Sequence, residues 1–476
     1  MKLNFPKDFI FGVGISAFQT EMGVSKEAHF EGTDWYKWST SPTIIKEKLV
    51  SGDDPAEGDG FWDLYKEDIS NAKELGQNAF RTSIEWARIF PENTFSVPSE
   101  IKRNSRGEPI EVKLGNESYE LMKEKCNMNA VKHYKEIFSY IRSKGMKVFL
   151  TIYHWPLPLW LHDPLACHTN LNGTTKTGWL NQTTIEEYGK YSDFVGRIFK
   201  DDVDVWETIN EPDVIATEGY LFGKESGFPP GLSDLKLTFR VERNLAIAHN
   251  VAYKNLKRAT HKEVGLAIAP AHYMVGDDRP ETLNVLNRIR YIHNEWILNA
   301  VVLGKFDDDL DGIAEDNQSF NWAGTDYIGV DYYQRHLVHY DENANYLGSI
   351  KASFEKCKDC SDFGWDIYPP GITEVSKWIY EKYRKPIYIF ENGIADSSDT
   401  KRERYTVEHL RSLSSGIMEQ KIPIKGYFHW SLFDNFEWAM GYKMRFGLYE
   451  VDYKTKERRK RKSAESYERI SKGLEL

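Results

Sequence analysis

Eight short apolar or β-branched runs recur along the chain, and this alternation constrains the fold more than any other feature of the sequence. The runs are Phe9–Ile15, Ala79–Ile84, Lys147–Tyr153, Val205–Ile209, Val264–Pro270, Tyr327–Tyr332, Ile387–Phe390 and Ile424–His429. Their lengths are typical of buried β-strands. Between them lie segments with the i, i+3, i+4 spacing of a one-faced helix. One such segment contains Val131, Tyr134, Ile137, Phe138 and Ile141.

Strand-like runs that alternate with helix-like segments indicate parallel βα units, and eight such units close into a barrel. We therefore predict an α/β fold, a (β/α)8 TIM barrel. A doubly wound open sheet is the competing topology, and it would need a glycine-rich phosphate loop after its first strand. Phe11–Gly14 lacks the third glycine at the required spacing, which argues against that topology.

The length of 476 residues would by itself suggest roughly three domains at about 150 residues each. No stretch rich in Pro, Ser and Gly separates two self-sufficient blocks, so we predict one barrel domain over residues 1–476. Three polar stretches exceed the bare repeat: Glu92–Asn127, Trp160–Gly178 and Arg335–Phe363. We expect them to be extended βα loops that build the rim of an active site.

Charge and hydropathy exclude several classes of function. The 62 Lys and Arg residues against 72 Asp and Glu residues give a net charge of −10, which argues against a nucleic-acid or anionic-membrane partner. We interpret the basic run Lys456–Lys462 as a solvated approach to the last helix. No secretory signal is visible, and the apolar stretch Val148–Leu161 is too short and too polar to span a bilayer. We expect a cytoplasmic protein.

The four cysteines do not suggest a disulfide framework in a chain of this length. Cys357 and Cys360 form a lone CxxC motif with no second pair at zinc-finger spacing. We interpret them as an incidental pair in a loop, with structural zinc as the less favoured alternative.

Two carboxylates stand where strand-like runs end. Glu211 follows the fourth run in the string Asn-Glu-Pro, and Glu391 follows the seventh in Glu-Asn-Gly. Because the carboxyl ends of parallel strands meet at one mouth of a barrel, we expect both residues to face one ligand. A carboxylate pair is what glycosidic cleavage needs, since one group protonates the leaving oxygen while the other attacks the anomeric carbon or activates water.

Other polar and aromatic side chains follow the remaining runs. Arg81 ends the second run, where its charge would hold one carboxylate ionised. Amide, imidazole, carboxylate and indole groups, which together suit a sugar, follow the first, third and eighth runs. These residues are Gln19, Glu21, His154, Trp155, Trp430, Asn435, Glu437 and Trp438. The alternative interpretation of each is core packing or a salt bridge inside the barrel.

Longer strings in the chain allow a comparison by family. They include Phe5-Pro6, Phe11-Gly12, Thr33–Trp38, Tyr153–Pro164, Ser226–Gly231, His429–Leu432 and Met444–Gly447. With these strings the sequence resembles glycoside hydrolase family 1, the β-glucosidase and β-galactosidase family of retaining (β/α)8 barrels. The resemblance covers nearly the whole chain and is greatest to the archaeal β-glycosidase branch.

The resemblance implies a role for each candidate residue. Glu391 would be the nucleophile and Glu211 the acid/base, supported by Arg81, Asn210 and Tyr333. The implied substrate-binding residues are Gln19, His154, Trp155, Trp430, Glu437, Trp438 and Phe446. The resemblance further implies no cofactor and no metal ion, a β-linked glycoside or oligosaccharide as substrate, and a homo-oligomer, with a tetramer expected from the archaeal branch.

The implied activity is that of a retaining exo-β-glycosidase acting on terminal β-D-glucosides, β-D-galactosides and β-fucosides through a covalent glycosyl-enzyme. Gluco against galacto preference stays open, because Gln19 and Glu437 serve both epimers in this family. Three positions depart from the family pattern, one of them Lys462, which takes the place of a common Pro at the entry to the final helix and which we interpret as a structural matter only. Asp331 stands where Asn is usual and could shift the pH optimum, and Phe390 replaces the usual Thr before the nucleophile.

Three alternatives remain open. A 6-phospho-β-glycosidase would need a lysine aimed at the phosphate, and Lys443 lies one position from the place where that subgroup has one, which is Met444 here. A metal-dependent barrel hydrolase would need a third partner for His154 and His429. A non-catalytic sugar-binding protein on the same fold would be expected to have lost one of the two glutamates.

Overall fold

The computed structural model describes residues 3–308, 312–313, 315–316, 322, 324–347 and 350–475. Eight parallel strands form a closed barrel in which each strand pairs with its neighbours in chain order. The strands are β1 (Ile10–Gly14), β2 (Ala79–Ser83), β3 (Lys147–Thr151), β4 (Val205–Asn210), β5 (Glu263–Ile268), β6 (Tyr327–Asp331), β7 (Ile387–Asn392) and β8 (Ile424–Trp430). The predicted (β/α)8 barrel is confirmed, and every predicted strand-like run overlaps one barrel strand.

One principal helix follows each strand. The helices are α1 (Phe61–Glu74), α2 (Met128–Ser143), α3 (Gln182–Ile198), α4 (Leu235–Thr260), α5 (Pro280–Arg290), α6 (Pro369–Tyr383), α7 (Arg402–Met418) and α8 (Ala464–Ser471). Side-chain oxygens cap several of them; for example, Asn127 accepts from the backbone N–H of Ala130 at the start of α2. The apolar stripe predicted for α2 is buried against the barrel, as its spacing requires.

Aromatic and aliphatic side chains fill the inside of the barrel. This inner cluster consists of Ile10, Ala79, Phe149, Val205, Ala267, Tyr327, Tyr388, Phe390 and Phe428. Phe390 lies within 5.4–5.9 Å, ring to ring, of the other aromatic rings of this cluster. It also lies beneath Arg81, whose guanidinium carbon is 5.0 Å from the ring centroid. Phe390 therefore forms part of an apolar floor under the mouth of the barrel.

Shorter elements occupy the loops. Short helices span Ala17–Thr20, Asp34–Ser39, Pro42–Lys46, Trp86–Ile89, Asn116–Lys125, Pro164–Asn170, Pro212–Ala216, Gly223–Ser226 and Trp296–Leu298. Additional strands span Glu100–Arg103, Pro109–Lys113, His272–Val275, Lys305–Phe306, Glu315–Asp316, Arg335–Tyr340, Ala352–Phe354, Tyr449–Val451 and Arg458–Lys460. Within the described ranges, no helix combines the length and the apolar character needed to cross a bilayer.

The structure corrects two interpretations of the sequence. Cys357 and Cys360 are joined by a disulfide, with Cα atoms 5.8 Å apart, so they are not an incidental pair. The basic run Lys456–Lys462 is not a solvated helix approach either. It contains a strand, and the buried Arg458 and Arg461 form ion pairs with Asp68 and Asp434. Spacing and charge alone did not reveal Asp68 and Asp434 as partners, because both lie outside the run in the sequence and approach it only in the folded chain.

Candidate active site

A cavity of about 520 Å³ opens where the carboxyl ends of the barrel strands meet. Ten of the residues predicted for the site line it: Gln19, His154, Trp155, Glu211, Tyr333, Glu391, Trp430, Glu437, Trp438 and Phe446. Arg81 and Asn210 lie beneath this lining and contact it through hydrogen bonds. The structure therefore brings these twelve residues into one site, whereas Glu21, also expected there, does not line the cavity and accepts from Arg88 at 2.9 Å.

The long loops contribute to this cavity unequally. His336, Tyr346 and Phe363 of the stretch Arg335–Phe363 line it, although residues 348 and 349 of that stretch lie outside the described residues. No described residue of the other two polar stretches lines the cavity. The first of them, 92–127, packs on α3 instead, where a Cβ on Gly189 would lie 2.5 Å from Val112. The expectation that all three stretches build the rim was wrong for these two.

Glu391 lies near the end of β7, and each of its carboxyl oxygens accepts a hydrogen bond. The guanidinium of Arg81 donates to Oε1 at 2.6 Å, and the hydroxyl of Tyr333 donates to Oε2 at 2.6 Å. Burial raises the pKa of Glu391 above its ordinary value of 4.5, while Arg81 and Tyr333 limit that rise. The two donors favour an ionised carboxylate in a site that water hardly reaches.

Arg81 is itself held in place by a second carboxylate. Its Nε and Nη2 donate to the two oxygens of Glu207 at 2.8 and 2.9 Å, and Nη2 also donates to Asn210 at 2.5 Å. Thr151 donates to Glu207 at 2.6 Å. Sequence reasoning missed Glu207, although a carboxylate inside an otherwise apolar strand requires a buried partner and was a usable signal.

Glu211 follows β4 in a left-handed backbone conformation with φ of +46°, which non-glycine residues adopt rarely. The closest carboxyl oxygens of Glu211 and Glu391 lie within 4.8 Å of each other. Retaining glycosidases have carboxyl groups roughly 5–5.5 Å apart, whereas inverting ones need about 6.5–9.5 Å. Burial raises the pKa of Glu211 well above its ordinary value, and the charges of Glu391 and Asp213 raise it further. These influences favour the proton on Glu211 rather than on Glu391.

Gln19 and Glu437 form the polar inner end of the cavity. The Gln19 amide donates to the Glu437 carboxyl at 3.3 Å, to the Asn435 side chain at 3.2 Å and to the Phe436 carbonyl at 2.9 Å. Burial and then the charge of Glu391 raise the pKa of Glu437 to about 8. Three side chains with donors and acceptors thus converge on a small volume, as recognition of several hydroxyl groups requires.

Indole and imidazole rings form the walls of this inner end. His154 lies between Trp430 and Trp438, with ring centroids 6.0 and 6.1 Å away, and burial lowers its pKa so that the ring is neutral. Trp155 packs on Trp438 with centroids 4.5 Å apart. Phe446 belongs to the cluster around Trp430. These flat apolar faces suit the C–H face of a sugar ring.

The outer end of the cavity contains rings that sequence reasoning missed. Tyr273 packs against His336 with centroids 5.3 Å apart, and a ring nitrogen of His293 lies 2.8 Å from the hydroxyl of Tyr346. Phe222 lies 5.9 Å from the Tyr346 ring. Tyr273 and His336 lie on two short strands outside the barrel, and none of these residues belongs to a recognisable motif, so no sequence signal singled them out.

The geometry also bears on the alternatives. Lys443 is exposed and does not line the cavity, whereas Met444 is buried beside Trp430, so no lysine is aimed into the site at this position. In the described part of the chain, one group of His, Cys, Asp and Glu side chains is close enough to share a cation: Glu211, Asp331 and Glu391. His154 and His429 are not part of it.

Comparisons with known proteins agree with this geometry. The family model described as glycosyl hydrolase family 1 matches residues 1–102 and 122–475. A β-galactosidase from Saccharolobus solfataricus is 36% identical over 98% of this chain and 95% of its own length. The crystal structure of the β-glycosidase from Thermosphaera aggregans superposes with a TM-score of 0.90 at 34% identity, covering 99% of this chain and 97% of that one. A β-glucosidase mutant derived from a hyperthermophilic tetrameric structure gives 0.89 at 35% identity, covering 100% and 97%.

Proposed function

The chain belongs to glycosyl hydrolase family 1 and is an O-glycosyl hydrolase, and from this premise we propose that it removes terminal β-D-glucosyl, β-D-galactosyl and β-fucosyl units with retention of configuration. The main support is the unequal environment of two neighbouring carboxyl groups. Glu391 receives two hydrogen bonds that favour its ionised form, whereas burial and nearby negative charge keep the proton on Glu211.

In the first step the Glu391 carboxylate attacks the anomeric carbon while Glu211 gives its proton to the leaving glycosidic oxygen. The bond from carbon to the leaving oxygen breaks and an ester to Glu391 forms. The guanidinium of Arg81 and the hydroxyl of Tyr333 hold the attacking carboxylate in place. Rigid positioning of this kind lowers the barrier because orientation is arranged before the reaction.

In the second step Glu211 acts as a base. Esterification removes the negative charge of Glu391, which lowers the pKa of Glu211 and lets it accept a proton from water. The water oxygen attacks the anomeric carbon, the ester bond breaks, and the sugar leaves with its original configuration. Both carboxyl groups return to their starting protonation states.

The inner end of the cavity is the proposed site for the sugar unit that is cleaved off. Gln19, His154 and Glu437 would bind hydroxyl groups, and Trp430 and Trp438 would pack against the ring. Asn210, which accepts from Arg81, would bind the 2-hydroxyl. Phe446 and Trp155 complete the walls. We propose that this end takes a terminal sugar unit.

The decisive experiment follows the product anomer by NMR during hydrolysis of nitrophenyl β-glucoside, β-galactoside, β-fucoside, β-mannoside and 6-phospho-β-glucoside. We expect release of the β-anomer from the first three substrates. Glu391→Gln should abolish turnover and still bind substrate, because the amide keeps the shape of the side chain but is a poor nucleophile. Release of the α-anomer, or ordinary activity in the purified mutant, would contradict the mechanism.

Assembly and location are further proposals. We propose a homo-oligomer, with the tetramer as its expected form, because a similar β-glucosidase derives from a tetrameric structure. A cytoplasmic location remains a prediction. The disulfide between Cys357 and Cys360 is a feature against it, since disulfides are rare in reducing compartments.

A further inference from the structure

Asp331 is a third carboxyl group in the catalytic site. It ends β6, where its backbone pairs with that of Glu391 on β7 after a β-bulge, and the residue is 1% exposed. Its carboxyl oxygens approach those of both Glu211 and Glu391 to within 4.8 Å. The proposed mechanism uses two carboxyl groups, so the third one needs an explanation of its own.

Arg81 supplies the positive charge next to these carboxyl groups, and it already donates hydrogen bonds to other partners. Arg81 from β2 donates to Glu207 on β4, to Glu391 and to Asn210. Among the described residues, none donates a hydrogen bond to either oxygen of Asp331. An ionised Asp331 would therefore be a third buried negative charge, beside Glu207 and Glu391, in a space with one cation. An isolated buried charge is costly, and such a group takes up a proton instead.

Of the influences on the pKa of Asp331, those that raise it outweigh the one that lowers it. Burial raises its pKa well above the ordinary value, the charges of Glu391 and Glu211 raise it further, and Glu207 adds to this, while Arg81 opposes the rise. Tyr333, the next residue but one, is neutral because burial raises its pKa as well. These influences favour the protonated form of Asp331, and a protonated carboxyl has an O–H to donate.

Glu211 is the acceptor left for this O–H. Both oxygens of Glu391 already accept, one from Arg81 and one from Tyr333. The carboxyl of Glu211 lies within the same 4.8 Å group. A hydrogen bond to the ionised form of a carboxyl lowers its pKa, so this donor would stabilise Glu211 once it has released its proton.

We propose that Asp331 is a positioning residue. It keeps its proton, and its O–H donates a hydrogen bond to Glu211, which makes Glu211 a stronger acid toward the leaving group. The inference rests on the proposed function, since it assigns Glu211 as the acid. The Glu211 O–H bond breaks and its proton goes to the leaving oxygen, while the Asp331 O–H bond stays intact throughout the cycle.

The test compares Asp331→Asn, which keeps a donor, with Asp331→Leu, which removes it. We expect the alkaline limb of the kcat/KM profile to stay in place in the Asn variant. In the Leu variant it should move up by about one pH unit, the effect of losing a hydrogen bond to a charged group. The Leu variant should also lose about tenfold in kcat/KM on a methyl glycoside and less than twofold on a dinitrophenyl glycoside, whose leaving group needs no proton.

Two kinetic results would overturn the proposal. A lower alkaline limb in Asp331→Asn would mean that Asp331 is an anion that holds the proton on Glu211 by repulsion. An unchanged limb in a folded Asp331→Leu protein would mean that the side chain only fills space. Circular dichroism of both variants reports whether they fold.

A spectroscopic readout separates this inference from the proposed function. Infrared spectra of Glu211→Gln and of Glu211→Gln/Asp331→Asn at neutral pH require no turnover and no folded Leu variant. We expect the single variant to show a C=O stretch of a protonated carboxyl that the double variant lacks. Identical spectra in that region would refute a protonated Asp331, whereas failure to hydrolyse any glycoside would refute the function alone.

Discussion

At the scale of single residues, the carboxyl groups of the site are similarly buried, but different hydrogen-bond donors favour the ionised form of some and the protonated form of others. Glu207 and Glu391 accept three hydrogen bonds from Arg81, Asn210 accepts a fourth, and Tyr333 adds a donor to Glu391. Glu211 lies next to the negative charges of Glu391 and Asp213 instead. Burial raises its pKa further above the ordinary value than it raises that of Glu391. Acid and nucleophile therefore differ by their neighbours and not by their residue type.

The acid limb of the pH profile follows from Glu391. Its pKa lies above 4.5, so the nucleophile loses its charge as the pH falls through that raised value. Activity should accordingly fall at a pH above 4.5 on the acid side, and Tyr333→Phe should move this limb further up, because it removes a donor that favours the ionised form. The kcat/KM profile of the two proteins measures the shift. A limb that moves down in the variant would contradict the assigned role of the tyrosine.

Removal of the acid/base tests its two roles separately. Glu211→Ala should lower kcat/KM about 10²–10⁴-fold on substrates with poor leaving groups, because proton transfer to the leaving oxygen is lost. Added azide should then restore part of the turnover by attacking the Glu391 ester in place of activated water, and NMR should identify a β-glycosyl azide. Glu225→Ala is the matched control, since Glu225 lines the same cavity but is exposed. Azide rescue in the control, or an α-azide, would contradict the assignment.

The sequence predicted Glu211 and Glu391 because each ends a strand and barrel topology brings strand ends together. It did not predict the hydrogen-bond partners of Glu207 or the surroundings of Asp331. Those depend on which donors reach them from other strands, and that information is three-dimensional. The rings of Tyr273 and His293 were missed for a related reason, since they lie on short elements outside the eight barrel units that the sequence pattern identified.

At the scale of elements, the carboxyl-terminal hairpin shows how poorly a run of charges predicts its surroundings. Tyr449–Val451 and Arg458–Lys460 pair antiparallel after the barrel closes. Arg458 donates two hydrogen bonds to Asp68 on α1, at 2.8 and 2.9 Å, and both side chains are fully buried. The hairpin is thereby attached to the first helix of the barrel, although the two residues lie nearly a chain length apart.

Arg458→Ala should destabilise the protein by about 3–5 kcal/mol, because it leaves the Asp68 carboxylate buried without its partner. Arg459→Ala is the matched control on the same strand. Arg459 pairs with Glu457, and both side chains are 55% exposed, so its loss should cost no more than about 1 kcal/mol. Unfolding in urea, followed by circular dichroism, measures both. Equal effects of the two variants would show that the buried pair contributes no more than the exposed one.

At the scale of the whole molecule, the first and last residues of the barrel are tied together. Near the amino terminus, the hydroxyl of Ser414 on α7 donates to the Asn4 carbonyl at 2.7 Å. Tyr467 on α8 donates to the Gly12 carbonyl of β1 at 2.6 Å. One continuous cluster of buried apolar side chains includes residues from Phe9 to Ile470. This continuity supports the prediction of a single domain, which the length of the chain alone would not have suggested.

We therefore expect the protein to unfold in one cooperative transition. Scanning calorimetry should give a single heat-absorption peak that coincides with the loss of tyrosine and tryptophan near-UV circular dichroism and of helical signal. Tyr467→Ala removes a buried ring and the hydroxyl that binds β1, and should cost about 3–5 kcal/mol, as large aromatic deletions do. If α8 belongs to the same cooperative unit as β1, the whole peak shifts to lower temperature. A new early peak, with the main transition unchanged, would mean that the carboxyl-terminal segment unfolds separately and that the chain is not one domain.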